Sequence, residues 1–241
     1  MEKALLLSNS VTSGSSYLQW CSDIIRDFFK TKKNIVFIPY AAVTVSYDEY
    51  EEKVIKALKF KNNELKSIHN FPDKIKALNE CDAVLTGGGN TFALKYRLEQ
   101  EKIFTTLQTV IKKENVLYCG WSAGANIAGL SIKTTNDMPI IEPESFEGLK
   151  VADFQINPHY TDKTIENHNG ESRDERLLEF SYLNPDVCCA AIPEAGGLIV
   201  EDNPGKFLYF GQNPGKIFYR KKMVLKLQNG DRLNFHEHPF I

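Results

Sequence analysis

The chain lacks the paired-cysteine spacing of a disulfide or zinc framework. Its five cysteines, Cys21, Cys81, Cys119, Cys188 and Cys189, are odd in number and form no CxxC. The adjacent pair Cys188-Cys189 would point to opposite faces of a strand. Buried free thiols in a reducing compartment are the expectation. A long apolar run is also missing. The N-terminal one covers only residues 4–7, short of the roughly 7–15 residues of a signal-peptide core, and no stretch approaches the roughly 18 residues of a membrane span. A soluble cytoplasmic protein with no membrane partner is therefore expected. No basic excess exists either: Lys plus Arg number 29 against 31 Asp plus Glu, a formal net charge of −2. Such a balance supplies no surface for phosphate backbones, so nucleic acid is not expected as a partner. Linkers, low-complexity segments and repeats are absent as well.

What is present is ordinary globular material, 42% apolar and 25% charged over 241 residues, which excludes a disordered chain. That length suits a single α/β domain covering residues 1–241. The first half alternates strand and helix patterns. Residues 4–7, 35–38, 83–86 and 116–119 read as strands, and the continuous apolar run at 35–38 suits a strand buried on both faces, the habit of parallel sheets. Between them lie helical stripes such as Cys21, Ile24, Ile25 and Phe28, then Tyr50, Val54, Ala57 and Leu58. A helix over 123–130 is expected to follow the fourth strand. Later, 154–156 reads as a short strand ended by Asn157-Pro158, and 173–182 as a helix. Short strands with two Asn-Pro-Gly turns and Asn229-Gly230 suggest C-terminal antiparallel hairpins, the two Asn-Pro-Gly turns making similar ones. The fold class is α/β: a mainly parallel central sheet with helices on both faces and C-terminal hairpins. Ligands on such sheets bind beyond the carboxyl ends of the strands.

Two strand ends are chemically unusual. Gly120-Trp121-Ser122-Ala123-Gly124 lies between a strand and a helix pattern, the context in which GxSxG makes a nucleophile elbow. The tight turn lifts the serine above the sheet at a helix N-terminus, where the Ala123 N–H would favour an oxyanion. Thr86-Gly87-Gly88-Gly89-Asn90-Thr91 fits neither GxGxxG nor a P-loop. Three glycines there would let the backbone turn N–H groups toward an anion, a second oxyanion donor.

A serine nucleophile needs a base. Among five histidines, His69 reads as a packing residue, His168 sits in a polar loop, and His236 and His238 have no metal-ligand spacing. His159 follows a strand end and is the expected base. Two acids could orient it: Glu194, after the apolar run 187–192, or Asp137, in the polar loop after the elbow helix. Triads occur in either chain order, so spacing leaves both open.

Together, Gly120-Trp121-Ser122-Ala123-Gly124-Ala125-Asn126, the Gly87 to Thr91 loop, Thr134-Thr135-Asn136-Asp137-Met138-Pro139-Ile140, Ile156-Asn157-Pro158-His159 and Ile192-Pro193-Glu194 resemble the peptidase E family of aspartyl dipeptidases, as do Leu5 to Ser10 and Val36 to Tyr40. The resemblance runs to about residue 201. It implies a fold similar to class I glutamine amidotransferases with serine in place of cysteine, and hydrolysis of dipeptides with N-terminal aspartate without a metal or other cofactor. It matches Ser122 to the nucleophile, His159 to the base, Gly89 and Ala123 to the oxyanion hole, and both Glu194 and Asp137 to candidate acids. Arg173 and Arg176 match a basic segment. Arg173 is the expected bidentate contact for the substrate carboxylate, with Asn90 as a further substrate-binding residue and Arg176 as an ion-pair partner. The partner so implied is a small dipeptide. A cyanophycinase-like β-aspartyl peptidase is the nearest alternative; Trp121 stands where that group has threonine, and its bulk could help close a small site. Glutamine amide hydrolysis would need a cysteine at the apex, and Cys119 is on the strand. A non-catalytic acidic-ligand binding protein is the alternative of a different class.

Overall fold

The computed structural model describes residues 2–61, 64–163 and 170–237. In chain order the strands are β1 (Glu2–Leu7), β2 (Ile35–Ile38), β3 (Leu65–Ser67), β4 (Ala83–Thr86), β5 (Leu117–Trp121), β6 (Gln155–Tyr160), β7 (Cys189–Pro193), β8 (Gly196–Glu201), β9 (Lys206–Gly211), β10 (Gly215–Tyr219), β11 (Lys222–Leu227) and β12 (Arg232–Asn234). The helices are α1 (Ser22–Phe28), α2 (Tyr47–Leu58), α3 (Lys74–Glu80), α4 (Thr91–Gln100), α5 (Phe104–Val110), α6 (Ala123–Asn126) and α7 (Arg173–Leu183). No helix among the described residues is long and apolar enough to cross a membrane.

The main sheet has the order β12-β9-β8-β1-β5-β4-β2-β3. Its β1-β5-β4-β2-β3 part is parallel, and β8, β9 and β12 extend it antiparallel. Parallel strands need crossovers that cover the sheet, which is why these strands are apolar at successive positions. Leu5, Leu7, Phe37, Leu85 and Cys119 pack with Ile25 of α1 and Val54 and Leu58 of α2. Leu6, Val36, Val84 and Tyr118 pack on the other side with Leu94 of α4 and Leu107 of α5. All five cysteines are free and buried. Trp121 is fully buried, stacked on Phe37 and edge-on to Tyr17. It packs in the core against Gly88 and does not line the cavity at Ser122.

A second sheet, β11-β10-β7-β6, was not foreseen. Only the first Asn-Pro-Gly turn joins paired neighbours, β8 and β9. The second carries the chain from β9 in one sheet to β10 in the other, and Asn229-Gly230 leads from β11 back to β12. A turn residue sets a local reversal; which sheet the next strand joins depends on distant partners. Two other expectations change for similar reasons. The helix after the elbow stops at Asn126, because the carbonyls of Ile127, Ala128, Gly129 and Leu130 accept N–H groups from residues 148–152. Residues 157–159 do not form a turn but continue β6 through a bulge, Asn157 pairing with Ala191 and Tyr160 with Pro193.

Candidate active site

The strained turn at Ser122 follows from its glycine neighbours. Ser122 has φ 52° and ψ −113° between β5 and α6, a backbone region that costs a residue with a side chain of order 1–3 kcal/mol. A Cβ on Gly120 would stand 2.3 Å from the Gly124 carbonyl oxygen, and one on Gly124 2.3 Å from that of Thr86. Side chains at either place would push the turn off β4 and β5. Ser122 N–H donates to the Leu7 carbonyl at 3.0 Å, and the Asn126 N–H reaches back to the Ser122 carbonyl at 2.9 Å.

The Gly87–Gly89 loop lies against this turn. Gly88 leaves no room for a Cβ, which would sit 2.9 Å from that of Ser122. Gly89 has φ +140°, and a Cβ there would come within 2.2 Å of the Ala41 carbonyl oxygen. Both features require glycine. Asn90 N–H donates to that same carbonyl at 2.8 Å. Among the described residues neither the Gly89 N–H nor the Ala123 N–H has a protein acceptor. Two free donors beside a serine are what an oxyanion hole needs.

His159 Nε2 is 2.8 Å from Ser122 Oγ, within reach of a base, and its Nδ1 is 3.4 Å from Glu194 Oε1. The β6 bulge makes this possible: His159 has φ +55°, which turns the ring off the sheet. A polar hub at the end of β1 fixes it. Ser8, fully buried, accepts the His159 N–H at 2.7 Å and donates to the Ile192 carbonyl at 2.8 Å. Asn9 Oδ1 accepts the N–H of Ala195, the residue after Glu194, at 2.9 Å.

Asp137 is elsewhere. Its carboxylate accepts the Thr91 N–H at 2.7 Å and the Thr135 hydroxyl at 3.1 Å, so it caps α4. The carboxylate facing the His159 ring is that of Glu194. Asn90 is held twice, accepting Ala93 N–H and donating to the Met138 carbonyl at 2.9 Å each. Arg173, the first residue of α7, donates to Asn136 Oδ1, and Asn136 donates to the Pro158 carbonyl at 2.7 Å. Burial, and then the nearby Arg176, lower the Arg173 pKa from its ordinary value. Arg176 pairs with Glu171 at 3.8 Å on the surface.

A cavity of about 500 Å³ opens on Ser122, His159, Gly89 and Asn90, with Tyr17, Tyr50 and Lys53 on a further wall. Arg173 is not part of that lining. A second cavity of about 500 Å³ meets the other side of the site at His159 and Glu194. His69 bonds to Asp48 and Ser67, and His236 pairs with Asp153. His168 and His238 lie outside the described residues. Nothing in the sequence assigned a role to Ser8, Asn9, Asn136 or Lys53, although the first three fall in segments that carry the family resemblance. A local signal for Ser8 and Asn9 was the polar Ser-Asn-Ser immediately after a buried strand.

Residues 4–207 match the model of peptidase family S51. The chain is 40% identical to Peptidase E of Shewanella sp. (strain W3-18-1), over 96% of this chain and 97% of that one. It is 44% identical to Peptidase E of Nostoc sp. (strain PCC 7120 / SAG 25.82 / UTEX 2576), over 84% of each. The crystal structure of a peptidase from an acI-B1 Actinobacterium superposes with a TM-score of 0.64 at 15% identity, covering 96% of both chains. That likeness shows the shared fold.

Proposed function

The chain belongs to peptidase family S51 and is a serine dipeptidase, and we propose that its substrates are dipeptides with N-terminal aspartate, cleaved through an acyl-enzyme on Ser122. The observation that carries this reading is the 2.8 Å contact between His159 Nε2 and Ser122 Oγ at a cavity also bordered by Gly89. His159 takes the hydroxyl proton as Oγ attacks the scissile carbonyl. The N–H groups of Gly89 and Ala123 receive the oxyanion. Protonated His159 then gives its proton to the departing amine, and water activated by the same ring frees the acyl group.

Glu194 is the acid that steadies the imidazolium, while Asp137 shapes the loop at α4. Arg173 is the proposed partner of the aspartyl carboxylate. Among the described residues its buried Nε has no hydrogen-bond partner, so the guanidinium keeps donor capacity for an anion. A fixed guanidinium separates aspartate from glutamate, whose carboxylate lies one methylene further out. The test compares Asp-Leu, Glu-Leu, β-Asp-Leu and Asp-Leu-Leu. Hydrolysis of the first alone supports the reading. Preference for the β-linked peptide would replace it with the cyanophycinase-like one.

A further inference from the structure

The wall of the cavity opposite the nucleophile carries a cation that the reaction scheme above leaves unused. Lys53 projects from α2 into the cavity that holds Ser122 and His159. Its Nζ stands 4.1 Å from the centre of the Tyr17 ring. None of the ion pairs among the described residues involves it. The ring face steadies the ammonium without consuming its N–H donors, since a cation–π contact is made by charge and not by a hydrogen bond.

This wall is coupled to the reacting end. Tyr17 and Tyr50 hydroxyls are 3.3 Å apart, and Tyr50 donates to the Gly88 carbonyl at 3.0 Å. Tyr50 and Lys53 are three residues apart on α2, so both lie on one face. The same helix therefore presses on the oxyanion loop with one residue and presents a cation with the next turn's. Between them the rim carries Val43, Val45 and Ile140, which are half exposed.

An Asp-Xaa dipeptide brings two carboxylates, one on the aspartyl side chain and one at the C-terminus. Arg173 lies behind Asn136, outside this cavity. The two cations thus stand at different places, as two carboxylates require. We propose that Lys53 binds the C-terminal carboxylate of the dipeptide, with the apolar rim taking the leaving residue's side chain. A single ammonium on the wall of the cavity that holds Ser122 rewards a substrate whose chain ends within that cavity. In a longer peptide, an uncharged amide would replace the carboxylate there. The inference rests on the dipeptidase reading of Ser122.

The test measures wild type, Lys53→Met and Lys53→Arg on a dipeptide, on its C-terminal amide and on the tripeptide extended by one leucine. The dipeptide is the best substrate from the survey above, so failure of the aspartate preference leaves this test standing. Loss of a charge-assisted hydrogen bond should lower kcat/KM of Lys53→Met on the free dipeptide roughly ten- to a hundredfold, mainly through KM. Lys53→Arg should recover much of it. The amide should be a poor substrate for wild type and no poorer for Lys53→Met, and the preference for dipeptide over tripeptide should shrink. Ser122 should react with a serine-directed phosphonate at the wild-type rate in both variants. Equal losses on dipeptide and amide, or no loss on the dipeptide, would overturn the assignment. An equal loss would instead mean that Lys53 reads the side-chain carboxylate or only supports the fold.

Discussion

The Ser8 hydroxyl accepts the backbone N–H of His159 at 2.7 Å and donates to the Ile192 carbonyl at 2.8 Å. One buried side chain therefore ties the end of β1 to β6, which carries His159, and to β7, which leads to Glu194. The neighbouring Leu7 carbonyl holds the Ser122 N–H. Three consecutive residues, Leu7, Ser8 and Asn9, set the mutual placement of Ser122, His159 and Glu194.

Ser8→Ala should lower kcat without a matching rise in KM. It leaves the His159 N–H and the Ile192 carbonyl unpaired in a buried place, at a cost of about 1–3 kcal/mol each. Thermal unfolding will show that cost. The functional readout is the rate of phosphonate reaction at Ser122 in the folded variant, which should fall with kcat. A wild-type rate in folded protein would mean that Ser8 serves stability alone.

Glu194→Gln and Asp137→Asn should part company. The first removes the carboxylate facing the imidazole and should cut kcat on the order of 10- to 100-fold. The contact is 3.4 Å and Glu194 is 59% exposed, which argues for an effect well short of a buried acid's. The second weakens the negative charge at the start of α4, worth about 0.3–1 kcal/mol, and should show mainly as lower stability. Steady-state kinetics and melting curves on both variants decide it; the reverse pattern would return Asp137 to the triad.

Gly89→Ala should lose both stability and turnover. The φ of +140° and a Cβ 2.2 Å from a backbone oxygen leave alanine no acceptable position. About 2 kcal/mol or more of stability should go, and the displaced N–H should cost on the order of 100-fold in kcat. Chemical denaturation and assay of the folded fraction separate the two losses.

At Ser122 the usual glycine penalty should vanish. Glycine normally destabilises by up to about 1 kcal/mol relative to alanine. Here it relieves the strain of φ 52°. Ser122→Gly should therefore melt no lower than Ser122→Ala, both being inactive. A clearly lower midpoint for glycine would show that the turn is not strained.

Thiol alkylation should spare activity. Burial pushes the Cys21 and Cys188 thiols up to about 12 and Cys81 to about 11, and raises Cys119 and Cys189 as well. A raised pKa shrinks the thiolate fraction at neutral pH, and the thiolate is the reactive form. Iodoacetamide at neutral pH should leave the native enzyme active, and labelling should appear only with denaturant or as pH climbs toward those values. Rapid native inactivation would contradict this.

The parallel core was legible in the sequence because strands covered on both faces must be apolar at consecutive positions, as at Ile35–Ile38 and over Ala83, Val84 and Leu85. The turn at Ser122 was legible because a strained strand-to-helix connection needs small neighbours at fixed offsets, and Gly120 and Gly124 supply them. These are local requirements, written within a few residues. What only the tertiary structure decided is non-local. The second sheet, the early end of α6 and the β6 bulge at His159 depend on partners tens of residues away. Which carboxylate meets the imidazole does too: Glu194 follows an apolar run and Asp137 sits in a polar loop, and only the pairing of β6 with β7 brings Glu194, and not Asp137, to the His159 ring. Ser8 lies in a segment that carries the family resemblance and Lys53 in none, yet neither had a legible role, since a hydroxyl or an ammonium acquires a role only from what the fold places opposite it.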